Sequence, residues 1–175
     1  MNLKNLIRTI PNYPKDGVMF RDITTLIQHP AGFRRTVDEL VQPFAGSDIS
    51  RIAGVEARGF ILGGAVAHQL SIGFIAVRKK GKLPWQTISV EYELEYGTDE
   101  LEIHIDSIEK GDRILIIDDL IATGGTAEAA AKLIEMSKGK VAGYVFVINL
   151  FDLGGCDNLV KKGFKVENLI EFPGH

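Results

Sequence analysis

The chain predicts an α/β fold with a mostly parallel central sheet, helices on both faces and an added β-ribbon. Three observations carry this. The unbroken β-branched and Leu run at 113–117 suits a strand buried on both faces, and 52–55, 73–77 and the strongly β-branched 141–150 read as further strands. Between them lie segments of helical periodicity at 30–44, 59–70 and 128–136, and strands alternating with helices imply parallel pairing with ligands at the carboxyl ends of the strands. The length of 175 residues, without repeats, linkers or low-complexity tracts, fits one domain spanning 1–175.

Taken in order, Leu3, Leu6, Ile7 and Ile10 stand at helical spacing before Pro11, predicting a short amphipathic helix over 2–10. Residues 12–17 are turn-rich and deliver Val18, Met19 and Phe20, an aromatic loop that either packs or stacks on a ligand. Phe33, Val37, Leu40, Val41 and Phe44 form one helix face, with Pro30 suited to its first turn. A strand at 52–55 leads through Glu56, Ala57 and Arg58 into a buried helix whose Gly59, Gly63 and Gly64 permit close packing. Gly54 and Gly59 have the outer spacing of a Walker A loop, but Phe60 and Ile61 replace its Lys and Ser/Thr, which excludes that motif.

The strand at 73–77 runs into Arg78, Lys79, Lys80, Gly81 and Lys82, either a solvated basic turn or a seat for a polyanion. The excursion at 83–106 is long for a connector and reads as a β-ribbon flap with a mobile tip, on which Trp85 is placed. After the run at 113–117 come Asp118 and Asp119, then Ala122, Thr123, Gly124, Gly125 and Thr126, then a helix over 128–136 with Ala129, Ala130, Leu133, Ile134 and Met136 facing inward. A strand at 141–150, a short helix at 156–163 and an edge strand at 164–170 complete the chain.

Composition narrows the function classes. A net charge of −3 is mixed along the chain and gives no basic nucleic-acid surface. The single cysteine, Cys156, excludes an internal disulfide framework and fits a reducing compartment. No apolar run is long enough to span a bilayer and the first residues lack a signal-peptide core, so the chain reads as soluble and cytoplasmic, with no membrane partner. The histidines 29, 68, 104 and 175 show no zinc-ligand spacing.

The informative stretch is 113–126. Small residues and paired glycines before a helix let backbone N–H groups approach an anion. The two carboxylates before them can accept both hydroxyls of a vicinal diol and face a cation developing at the sugar. Each half alone has an ordinary reading, as solvated acids or as a helix cap; together they point to a ribose 5-phosphate.

This stretch resembles the 5-phosphoribosyl-1-pyrophosphate signature of type I phosphoribosyltransferases. Residues 13–24, 56–60, 78–84 and 93–97 extend the resemblance over nearly the whole chain, to the adenine phosphoribosyltransferases. The resemblance implies a type I phosphoribosyltransferase-like fold, with an N-terminal base-covering hood at 1–28 and a mobile flap at 78–106. It implies a purine salvage enzyme making AMP and pyrophosphate from adenine and 5-phosphoribosyl-1-pyrophosphate, through an oxocarbenium-like transition state. Mg²⁺ would ride on substrate and water, near Asp118 or Asp119, without dedicated protein ligands, and the protein would be a homodimer.

By the same resemblance, Asp118 and Asp119 hold the ribose hydroxyls and Ala122, Thr123, Gly124, Gly125 and Thr126 the 5-phosphate. Glu56, Ala57, Arg58, Arg78, Lys79 and Lys82 form the pyrophosphate site, with a non-proline cis bond near Glu56–Ala57. Phe20 and Leu150 sandwich adenine, the backbones of Met19 and Arg21 read its amino edge, and Glu95 on the flap accepts the purine proton. Trp85, Gln86 and Asn149 depart from the family pattern, which puts flap closure and base-edge recognition in doubt. The alternatives are an enzyme for another purine and a non-catalytic sensor of the donor; no added DNA-binding segment or basic face favours the latter.

Overall fold

The computed structural model describes residues 1–94 and 96–174. Leu3–Leu6 makes one turn of 3-10 helix, and strand β1 (Arg8–Pro11) pairs antiparallel with β2 (Met19–Asp22). The helix expected over 2–10 does not form. Thr9 and Ile10 are β-branched and Pro11 ends the segment, so a ladder with β2 competes well against one isolated helical turn. Leu3 and Ile7 nevertheless reach the core.

Helix α1 (Thr24–Gln28) leads to α2 (Pro30–Val41), which has Pro at its first position and a cap in which His29 Nδ1 accepts the Gly32 N–H at 2.9 Å. Then follow β3 (Arg51–Val55), α3 (Arg58–Leu70), β4 (Gly73–Lys79) and the antiparallel ribbon of β5 (Thr87–Glu93) and β6 (Thr98–His104). Strand β7 (Arg113–Ile121), helix α4 (Gly125–Met136), β8 (Lys140–Leu150), α5 (Gly155–Lys161) and β9 (Val166–Phe172) complete the order.

The main sheet runs β5-β6-β4-β3-β7-β8-β9. Its members β4, β3, β7, β8 and β9 are parallel, and the ribbon continues it antiparallel through β6 against β4. Strand β9 is the edge that the sequence predicts.

The unbroken apolar runs are explained by the two cores they serve. Leu115 and Ile117 pack with α2 and α3 on one face, while Ile114 and Ile116 pack with α4 on the other. Met136 is 57 % exposed rather than inward, because α4 has reached its last turn beyond the sheet. Strand β7 also runs four residues further than the apolar stretch ending at Ile117, so Asp118 and Asp119 belong to the strand and not to the turn after it. Their neighbours Leu120 and Ile121 pair with Ile148 and Asn149 of β8, which keeps the backbone extended through the acids. Trp85 is at the root of the ribbon, where its backbone N–H donates to His104 Nε2 at 3.3 Å, and not at the far end, where β5 finishes at Glu93 and β6 starts at Thr98.

The N-terminal β1–β2 hairpin is fastened at Asp22. Its carboxylate accepts from Arg8 Nη2 at 2.7 Å, from the Thr24 hydroxyl at 2.6 Å and from the Thr24 N–H at 2.9 Å. Burial opposes ionisation, but the Thr24 donors and the Arg8 guanidinium outweigh it and hold the carboxyl at about 2. A depressed folded-state value contributes stability above the ordinary value, lost as pH falls. Replacing Asp22 by Asn should therefore cost about 1–3 kcal/mol at neutral pH. In urea titrations, the gap to wild type should close as pH falls from 3.8 to about 2.

Candidate active site

Parallel strands bring the loops after β3, β4, β7 and β8 to one edge of the sheet. The loop after β7 turns at Gly124, whose φ of +93° is left-handed and suits glycine, and α4 starts at the next residue. The first-turn N–H groups of α4 lack intrahelical acceptors and face the cavity of about 340 Å³ lined by Ala122, Thr123, Gly124, Gly125 and Thr126. The five predicted cradle residues thus line one cavity.

Gly155 braces this cradle from behind. Its N–H donates to Ala122 O at 3.1 Å, and a Cβ on it would lie 2.5 Å from that oxygen and 2.8 Å from Gly124 N. Tyr92 and Leu94 of the ribbon close the cavity's other side. Neither Gly155 nor Tyr92 is among the residues expected from the sequence; the Gly154-Gly155 pair after a strand was the one local sign.

Asp118 keeps part of its surface toward the cavity, while Asp119 is 8 % exposed. Asp118 Oδ1 accepts the Asp119 N–H at 2.8 Å, and Arg58 Nε forms an ion pair with Asp119 Oδ2. Burial, reinforced by the negative charge of Asp119, pushes the Asp118 carboxyl well above the ordinary carboxylate range. Helix α3 comes this close because Gly59 has no side chain: a Cβ would meet Ile117 O at 3.0 Å and Asp118 Oδ1 at 3.3 Å.

A second cavity, of about 260 Å³, lies between the acids and the basic loop and is lined by Glu56, Arg58, Lys79, Asp118, Asp119 and Thr126, among others. The Glu56–Ala57 peptide bond is cis, as the resemblance implies. Glu56 gathers the loop: it accepts the Lys79 N–H at 2.7 Å, Lys82 Nζ at 2.8 Å and Arg78 Nε at 3.3 Å. Burial raises its carboxyl, but these donors and the charges of Lys82 and Arg78 hold it below the ordinary range. Lys79 pairs with Asp99 of β6 at 3.0 Å. Asp99 is a further residue that sequence reasoning missed, since only the hairpin register sets it across from Tyr92 and within reach of Lys79.

A third cavity, of about 300 Å³, lies under the hood and is lined by Met19, Phe20, Arg21, Leu150, Leu153 and Gly174, with Arg58 and Asp119 on its inner wall. Phe20 is held edge-on by Tyr13, with ring centroids 5.2 Å apart. The four residues expected around a base are therefore together. Gly174 is added to them: its N–H donates to Asp152 Oδ1 at 2.5 Å. Asn149 is buried on β8, and its side-chain oxygen has no hydrogen-bond partner among the described residues. Glu95, expected to take the proton, lies outside the described residues.

The cavities adjoin. Asp118 and Thr126 line both the first and the second, and Arg58 and Asp119 line both the second and the third. Ligands that set one anion in the first cavity, a second anion in the middle one and a flat group in the third would fit this line.

Comparison with known proteins agrees with the geometry. Residues 24–173 match the family model of the phosphoribosyl transferase domain. The chain is 60 % identical to the adenine phosphoribosyltransferase of Pelagibacter ubique over the full length of both. The crystal structure of adenine phosphoribosyltransferase from Rhodothermus marinus superposes with a TM-score of 0.92 at 49 % identity, covering 97 % of this chain and 96 % of that one. The Giardia lamblia enzyme complexed with 9-deazaadenine gives a TM-score of 0.90 at 32 % identity, with 97 % and 96 % covered. With a cradle, paired acids and basic loop that match type I phosphoribosyltransferase chemistry, and with these full-length relatives, the chain belongs to the phosphoribosyltransferases, in the adenine phosphoribosyltransferase family.

Proposed function

We propose that this enzyme transfers a 5-phosphoribosyl group from 5-phosphoribosyl-1-pyrophosphate to adenine, releasing pyrophosphate and AMP. The observation that carries the reading is the line of adjoining cavities, with the acid pair at both junctions. The cradle of 122–126 takes the 5-phosphate, and Asp118 and Asp119 take the ribose hydroxyls. Arg58, Arg78, Lys79 and Lys82 take the pyrophosphate. Phe20 and Leu150 hold the base, a placement supported by the cavity that both line, and the Giardia lamblia relative is complexed with the adenine analogue 9-deazaadenine.

In the reaction the bond from ribose C1 to the pyrophosphate oxygen breaks, the bond from C1 to adenine N9 forms, and the N9 proton leaves to a base. Holding the three groups in line lowers the entropic part of the barrier. As positive charge grows on the ribose, the acid pair beneath it stabilises the transition state more than the ground state. Glu95 is the proposed proton acceptor, on the resemblance of residues 93–97 to the family.

Mg²⁺ fits this site as an ion carried by the donor. Glu56, Asp118 and Asp119 present hard oxygens to the pyrophosphate cavity. The ion would neutralise the departing group, with Asp118 or Asp119 nearest to it. We also place the enzyme in the cytoplasm as a homodimer. Support comes from the free buried Cys156, the lack among the described residues of any helix long and apolar enough to cross a membrane, and the exposed apolar side chains of Ile61 and Phe74.

Assay of the full chain with donor, Mg²⁺ and each of adenine, hypoxanthine, guanine and xanthine should yield nucleotide from adenine alone. Preferred use of another base would reassign the substrate, and tight donor binding without turnover of any base would make the protein a sensor. Asp118→Asn separates chemistry from folding. Because burial raises the Asp118 carboxyl, its charged form weakens the fold as pH rises, and Asn, which carries no charge and keeps the bond from the Asp119 N–H, should not lower Tm. The same change should lower kcat by about 10²–10³-fold. Unchanged turnover would refute the role given to the acid pair.

A further inference from the structure

Glu102 is a buried acid, 8 % exposed, that lines none of the three cavities. It stands on β6 between Arg78 of β4 and Ser89 of β5. Both its oxygens are engaged: Oε1 accepts the Gly81 N–H at 2.7 Å and Oε2 accepts the Thr87 hydroxyl at 2.8 Å. Gly81, with φ of +83°, is the turn of the basic loop, and Thr87 opens β5. One carboxylate therefore ties the loop carrying Lys79 and Lys82 to the root of the ribbon.

Glu56 holds the same loop from the cavity side, but two of its three bonds are to the cations of Arg78 and Lys82. A polyanion would compete for those cations. The bonds of Glu102 go to a backbone amide and a hydroxyl, which an incoming pyrophosphate group does not claim. We propose that Glu102 is a positioning residue that keeps the 78–82 turn in place while its cations exchange carboxylate for pyrophosphate. This rests on the reading of that loop as the pyrophosphate seat. A fixed turn reduces the ordering cost of binding the anion on flexible lysine stems.

The sign of the effect separates positioning from charge. By Coulomb's law alone, removing a carboxylate beside four cations strengthens their pull on a polyanion. Positioning requires the opposite. In steady-state assays of the full chain, Glu102→Ala should raise KM for the donor about 10-fold and leave KM for adenine within about 2-fold. Glu102→Gln should return the donor KM to within about 2-fold of wild type, since its amide can accept from Gly81 and donate to the Thr87 oxygen.

Calorimetric titration with pyrophosphate should show the same order. If Glu102→Ala does not fold, Thr87→Val removes one of the two bonds in a closely similar shape and should raise the donor KM about 3-fold. A folded Glu102→Ala with a donor KM at or below wild type, or an equal rise in both KM values, would overturn the proposal. Failure of the wild-type chain to bind the donor would instead defeat the functional reading, before any variant is made.

Discussion

Charge compensation at the carboxyl edge of the sheet is the constraint on which the rest of the site depends. Arg58, Arg78, Lys79 and Lys82 converge there, and each is paired with an acid: Arg58 with Asp119, Arg78 and Lys82 with Glu56, and Lys79 with Asp99. A cluster of like charges beside a partly buried cavity is stable only if its repulsion is offset locally. The carboxylates do this in the fold, and a pyrophosphate group would do it in the complex. The cations are thus held in place and compensated before any ligand arrives.

That arrangement needs a backbone that stays in place. The parallel strands β3, β7 and β8 are buried on both faces and β4 on one, and together they deliver four loops to the same edge. Glycine permits the close approaches between these loops. Gly59 lets α3 sit on the backbone of β7 beside Asp118, and Gly155 lets the loop after β8 support the phosphate cradle. The ribbon adds Tyr92 and Asp99 from a third direction, so the wall shared by the two anion cavities comes from β3, the ribbon and β7 together.

Elements with a strong repeated pattern were legible in the sequence, while those governed by local competition were not. Helix α2 announced itself through one apolar face and Pro30, and the core strands through unbroken β-branched runs. The segment at 2–10 has helical spacing as well, yet it pairs as β1, because strand pairing with residues 19–22 is a contact that spacing within 2–10 does not encode. The extension of β7 through Asp118 and Asp119 has the same cause. Acids suggest a turn when read locally, but β8 supplies hydrogen-bonding partners that keep them in a strand. Trp85 shows a third kind of miss: the ribbon was recognisable, but its register sets the tryptophan at the root.

The sequence by itself determined which residue types stand side by side at the end of β7. Paired acids followed by Ala122, Thr123, Gly124, Gly125 and Thr126 carry their own meaning, since the residue types that bind a diol and a phosphate are adjacent in the chain. Only the tertiary structure decided which carboxylate holds which cation, that Gly155, Tyr92 and Gly174 belong to the site, and that the acid pair forms the wall common to the cavities. The physical reason is distance along the chain. Asp119 and Arg58, or Glu56 and Lys82, become partners only when parallel strands stack their ends at one edge, and strand order and register are set by the whole core rather than by any local segment.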